Sequence, residues 1–180
     1  MDNRYISPTS LDKDKASLVL AMGTLLALPD VRERHRRQLI DTAVWKYTEA
    51  AGMTPHPKYN LRYVTDGARN LHVPAHIQHE HVWERSWIIT QLIAGVPWTG
   101  DRLTAFLAKH AVACTVTQEE HALLGSVNAT GWKRYELAGI SVWDRQAHAY
   151  LRAGEAALSL HAPPQGPHTP RLNSVSTCPN

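Results

Sequence analysis

Apolar side chains recur at helical spacing over most of the chain and alternate at strand spacing in only a few short runs. Leu18, Met22, Leu25 and Leu26 share one helical face. They predict a helix opened by a Ser10 or Asp12 cap, after a polar leader, and running to about Leu28. Pro29 stops it, and Asp30 reads as the N-cap of a second helix reaching about Ala51, with Val31, Leu39, Ala43 and Tyr47 on its apolar side. Gly52, Pro55 and Pro57 mark a loop. Lys58–Tyr63 alternates loosely and predicts a short strand, with Gly67 breaking it.

Val73–Val82 reads as extended, with Pro74 excluding a helix start. Helices are then predicted over Glu84–Ala94, with Trp87, Ile88 and Leu92 inward, and over Asp101–His110, carried by Leu103, Phe106 and Leu107. Gly95, Pro97 and Gly100 make the turn between them. Ala113–Val116 predicts a buried strand. Thr117 follows as an N-cap, and Glu120 three residues later completes a capping box for a helix that ends at Gly125. Trp132–Ala138 predicts another short helix, Ile140–Trp143 a last strand and Asp144–Leu160 a last helix. Prolines crowd the stretch after Ala162, so 161–180 is expected to be a disordered tail. The expected fold is α+β and mostly helical: one domain over 1–160, with a small ββα-like finger around 76–125.

Composition narrows the function classes. In 180 residues, 43% hydrophobic and 19% charged side chains suffice for a core and exclude disorder of the whole chain. Two cysteines, Cys114 and Cys178, exclude a disulfide scaffold and a four-cysteine zinc site, and predict a reduced, cytoplasmic setting. The longest apolar run, Ala16–Leu28, is short of the ~20 residues a spanning helix needs. Asp12 and Asp14 beside it argue against a signal peptide, so no membrane partner is expected. A net charge of +3 is compatible with a nucleic-acid partner. Histidine is the outlier, at 11 residues against one phenylalanine, and His72, His76, His79 and His81 lie close together.

Two segments can carry chemistry. Gln78-His79-Glu80-His81-Val82 ends an expected strand, and Val116-Thr117-Gln118-Glu119-Glu120-His121-Ala122-Leu123-Leu124 runs from a strand into a capped helix. A divalent ion needs oxygen or imidazole ligands from both elements, here Glu80 and His121. His81, one residue along the strand from Glu80, points to the opposite side and is left free to take a proton from water.

This pattern resembles the HNH, or His-Me finger, nucleases, and the second segment is similar to their T-x-E-E-H-x-x-L ending. The resemblance spans about 78–125. It implies that Glu80 and His121 hold a divalent ion, Mg²⁺ or Mn²⁺ with Zn²⁺ as a further option, and that His81 is the general base in hydrolysis of a DNA or RNA phosphodiester. Glu80, His81 and His121 should then converge. The middle Asn of the family is missing between His81 and His121, which leaves His110 or Asp101 as substitutes.

Plainer readings stand beside these. Glu80-His81 can be a surface pair, and the capping box explains the residues before His121 without any ion. His79 shares a strand face with His81 as a second metal or phosphate contact, or is simply a strand residue. Cys114 reads as a small buried hydrophobe. Arg62, Arg69 and Arg85 are candidate phosphate clamps. Trp132-Lys133-Arg134-Tyr135 offers a nucleic-acid grip through Lys133 and Arg134, or an inward stripe through Trp132 and Tyr135. Arg32, Arg34, Arg36 and Arg37 form a solvated or a phosphate-facing helix face. The runner-up function is a catalytically inactive nucleic-acid-binding or protein-interaction module of similar fold.

Overall fold

A computed structural model describes residues 9–50, 52, 56, 58–71 and 74–151. The first half is helical: α1 Thr9–Ala27, α2 Glu33–Glu49, then, after two strands, α3 Arg85–Ala94 and α4 Gly100–His110. Met22 and Leu26 of α1 are buried one turn apart. On α2, Ile40, Val44 and Tyr47 lie along one stripe that continues into Thr48. These residues pack with Ile88 and Leu92 of α3 and Leu103 and Leu107 of α4 into one apolar cluster. Among the described residues no helix is long and apolar enough to cross a membrane.

The sheet runs β2-β3-β1-β4-β5, from β1 Tyr63–Thr65, β2 Ile77–His81, β3 Ala113–Thr117, β4 Val142–Asp144 and β5 Ala149–Tyr150. β1 and β3 are parallel, and the other neighbours are antiparallel. β2 and β3 are joined through α3 and α4, and β3 leads directly into α5 Gln118–Ser126, so the order strand, strand, helix is present with a helical insertion. α5 packs back on β2 and β3, and α6 Trp132–Leu137 follows. Cys114, Val116, Leu124, Tyr135, Val142 and Val82 make the core between sheet and helices. The fold is thus α+β and mainly helical.

Several expectations change. α1 already runs from Thr9, so Ser10 and Asp12 lie inside it and do not cap it. Pro74–His76 forms a single 3-10 turn ahead of β2 where extended chain was expected, since proline fits a first helical position. The second helix is entered at Arg32, not Asp30. The first strand lies at Tyr63–Thr65, because the amides of Tyr59 and Asn60 turn back onto the His56 carbonyl at 2.9 and 2.8 Å. Asp144 does not start a helix: Oδ1 accepts from the amides of Gln146 and Ala147 at 2.8 and 3.1 Å. That is the chemistry of a helix cap, used here for a turn. His148 takes a left-handed φ of 52° and the chain returns as β5. The remainder of that expected helix, the expected 161–180 tail, the polar leader before Thr9, His72 and Cys178 lie outside the described residues.

Candidate functional site

The site forms where β2 meets the first turn of α5. Thr117 accepts from the Glu120 amide at 3.1 Å, and Glu120 accepts from the Thr117 amide at 2.8 Å, so the expected capping box is present. Thr65 of β1 donates to the same Glu120 oxygen at 2.5 Å and ties α5 to the sheet. His121, in the next helical position, has Nδ1 2.7 Å from Oε2 of Glu80. Glu80 is buried, while the His121 side chain is 52% exposed.

Glu80 has a second partner that the sequence did not announce. Nη2 of Arg134, on α6, donates to Oε1 of Glu80 and also to the His81 carbonyl at 3.2 Å. The Arg134 side chain is 6% exposed, so this is a buried ion pair. α6 can approach because residue 131 is glycine. Its φ is +65°, and a Cβ there would fall 2.7 Å from the Trp83 ring.

His81 is not brought to this pair. Strand alternation sends Glu80 to the α5 and α6 side and His79 and His81 to the α2 side. There Nε2 of both rings lies against the Thr48 hydroxyl, at 3.1 Å for His79 and 3.2 Å for His81. Trp45 stacks on His79 at 4.8 Å and tilts over His81 at 5.2 Å. Nδ1 of His79 sits 2.6 Å from the Lys58 carbonyl. Burial holds His79 down to about 4, offset in part by the Lys58 carbonyl and Glu49. Burial, with the charges of His79 and Arg85 adding to it, holds His81 down to about 3. Both are neutral imidazoles at pH 7. Of the expected trio, Glu80 and His121 meet, and His81 faces the other side of the sheet.

The expected nucleic-acid contacts each have partners within the protein. Arg62 makes a two-pronged contact with Asp144, at 2.9 and 2.6 Å. Arg69 lies 3.8 Å over the Trp143 ring. Arg85 pairs with Asp41 at 3.0 Å and lies over Trp45. Lys133 pairs with Glu136 at 3.0 Å and remains on the surface, while Arg134 is turned inward to Glu80.

The substitutes for the middle Asn lie elsewhere. Asp101 is exposed in the first turn of α4, and His110 packs among Phe106, Trp83 and Trp87. Cys114 is fully buried, and that burial pushes its thiol up, as the plain reading expected.

Sequence reasoning missed Thr48, and it read Arg134 as a nucleic-acid contact and missed its inward pairing with Glu80. Thr48 did carry a signal: it extends the Ile40, Val44 stripe of α2 by one turn, a hydroxyl on an otherwise apolar face. Arg134 carried none, since its neighbours Trp132 and Tyr135 explain that helix by themselves.

Glu80 and His121 place an oxygen and a nitrogen 2.7 Å apart, and Arg134 fixes the carboxylate by its other oxygen, as a supporting partner would for a ligating carboxylate. Among the described residues no group of three or more His, Cys, Asp and Glu gathers to hold an ion, so Glu80 and His121 are the two donors those residues bring there. Comparison with protein-family models, curated proteins and solved structures found no match.

Proposed function

We propose that this protein hydrolyses phosphodiester bonds in nucleic acid with a divalent ion held by Glu80 and His121. The observation that carries the reading is their 2.7 Å contact at the junction of an antiparallel strand pair and a capped helix, an order similar to that of an HNH finger. A bound Mg²⁺ or Mn²⁺ would stabilise the charge that develops on the phosphorane and leaving oxygen. Glu80 contributes one oriented oxygen, because Arg134 occupies the other. His121 contributes Nδ1 and, being half exposed, places the position at the surface, where a polynucleotide can reach it. His81 has its ring behind the sheet, so in this reading it supports the strand and the water-activating role first expected of it is left unassigned.

The second reading is a binding module of the same shape without chemistry. The specific observation in its favour is that Arg134 already compensates Glu80 while His81 faces α2. Supercoiled plasmid with Mg²⁺ or Mn²⁺ separates the two. Nicking that EDTA stops, and that His121→Ala and Glu80→Ala lose while the folded state is kept, supports the enzyme. Plasmid retention without nicking, indifferent to EDTA, supports the module.

A further inference from the structure

We infer that Arg134 is a positioning residue that makes cation uptake conditional on phosphate: the ion enters with the nucleic acid and is not held by the free protein. This rests on the phosphodiesterase reading. The Glu80 carboxylate is the sole negative charge the pair offers, and the Arg134 guanidinium already cancels it at contact distance. The described residues therefore bring two donor atoms and no net negative charge to the position. A hard dication takes six or more oxygens or waters at about 2–2.6 Å and is usually bound by carboxylates together with substrate phosphates. Here the missing charge and the missing oxygens have one natural source, the phosphodiester itself.

Arg134 cannot act on the substrate directly. It is 6% exposed and spans Glu80 and the His81 carbonyl. Its action passes through Glu80: it fixes which oxygen faces His121 and sets how strongly that oxygen attracts a cation. A lysine would keep the charge without the planar fork, and a glutamine would keep a hydrogen-bond donor without the charge.

The test follows free Mn²⁺ by electron paramagnetic resonance, with the full chain alone and with a short single-stranded oligodeoxynucleotide. Wild type should leave the free Mn²⁺ signal unchanged when alone and, with the oligonucleotide, deplete it beyond what the oligonucleotide takes up by itself. Arg134→Gln should bind Mn²⁺ without oligonucleotide about tenfold or more tighter than wild type, the loss of one compensating charge. Arg134→Lys should stay weak. Removing a merely structural residue would not create affinity.

Tight Mn²⁺ binding by wild type alone overturns the proposal even if nicking is observed, which leaves the phosphodiesterase reading standing. A folded Arg134→Gln chain with unchanged affinity also overturns it. Absence of Mn²⁺ uptake in every chain, with and without oligonucleotide, overturns both. The wild-type comparison stands even if Arg134→Gln does not fold.

Discussion

His79 and His81, two residues apart on β2, place their Nε2 atoms against one hydroxyl, that of Thr48, at 3.1 and 3.2 Å. The Lys58 carbonyl only accepts, so neutral His79 carries its proton on Nδ1 and presents a lone pair at Nε2. The Thr48 proton has two acceptors in reach, that lone pair and the Trp45 carbonyl at 2.8 Å. Donation to His79 lets His81 donate from Nε2 to the Thr48 oxygen. A chain from His81 through Thr48 and His79 to Lys58 then pairs the ring nitrogens that face Thr48 and Lys58, and the Trp45 carbonyl gives up the Thr48 proton.

Thr48→Val should therefore cost more than a lost hydroxyl on a helix. It leaves two buried imidazole nitrogens without a partner, a loss of about 2 kcal/mol or more. Thr48→Ser should retain most of that stability. Urea denaturation of the three proteins at neutral pH measures the difference.

The same pair predicts an acid-labile fold. His79 and His81 titrate at about 4 and about 3 in the folded protein, below the ordinary value of 6.5, with burial the leading cause for both. Glu49 facing His79 favours its charge, and Lys58 and Arg85 oppose it. Between these values and 6.5 the unfolded chain binds more protons than the folded one. Stability is then full above pH 6.5 and falls as pH drops toward 4. The urea midpoint should decline from pH 7 to pH 5, and the decline should shrink in His81→Asn.

Breaking the Arg134–Glu80 pair on one side should be worse than removing both charges. Arg134→Met leaves a buried carboxylate uncompensated, a cost of about 3–5 kcal/mol. Glu80→Gln with Arg134→Met should recover a substantial part of that loss. Thermal melts of the single and double variants at fixed pH give the coupling directly.

The start of α5 should be equally sensitive. Thr117→Ala removes one half of the capping box and should cost about 1 kcal/mol. Gly67→Ala should add a second route to the same damage, because its Cβ would fall 2.7 Å from Oε1 of Glu120, whose other oxygen is held by Thr65 and the Thr117 amide. Chemical denaturation checks both, and Glu120→Ala should blunt the Gly67→Ala penalty.

Much of this architecture is written in local patterns. The α2, α3 and α4 helices, the Ala113–Thr117 strand and the Thr117–Glu120 box follow from spacing over a few residues. The opposite directions of Glu80 and His81 follow from strand alternation, and the meeting of Glu80 with His121 was expected from strand-then-helix order. What spacing could not show was long-range. Arg134 lies 54 positions from Glu80, and Thr48 lies 33 from His81, so nothing local ties either pair together. Asp144 shows the converse limit: an aspartate that binds two following amides serves a helix start or a turn equally well, and the pairing of Trp143 with Tyr150 decides it.

The position of β3 bears on how the finger can be handled. It is an inner strand, with β2 on one side and β1 on the other. An excised 76–125 fragment would bare one edge of β3, strip Thr48 from the histidines and Arg134 from Glu80, and leave Val116 and Leu124 without Tyr135 and Val142. This strand–strand–helix unit is therefore not portable. Grafting or truncation should begin no later than α2 and extend past β4.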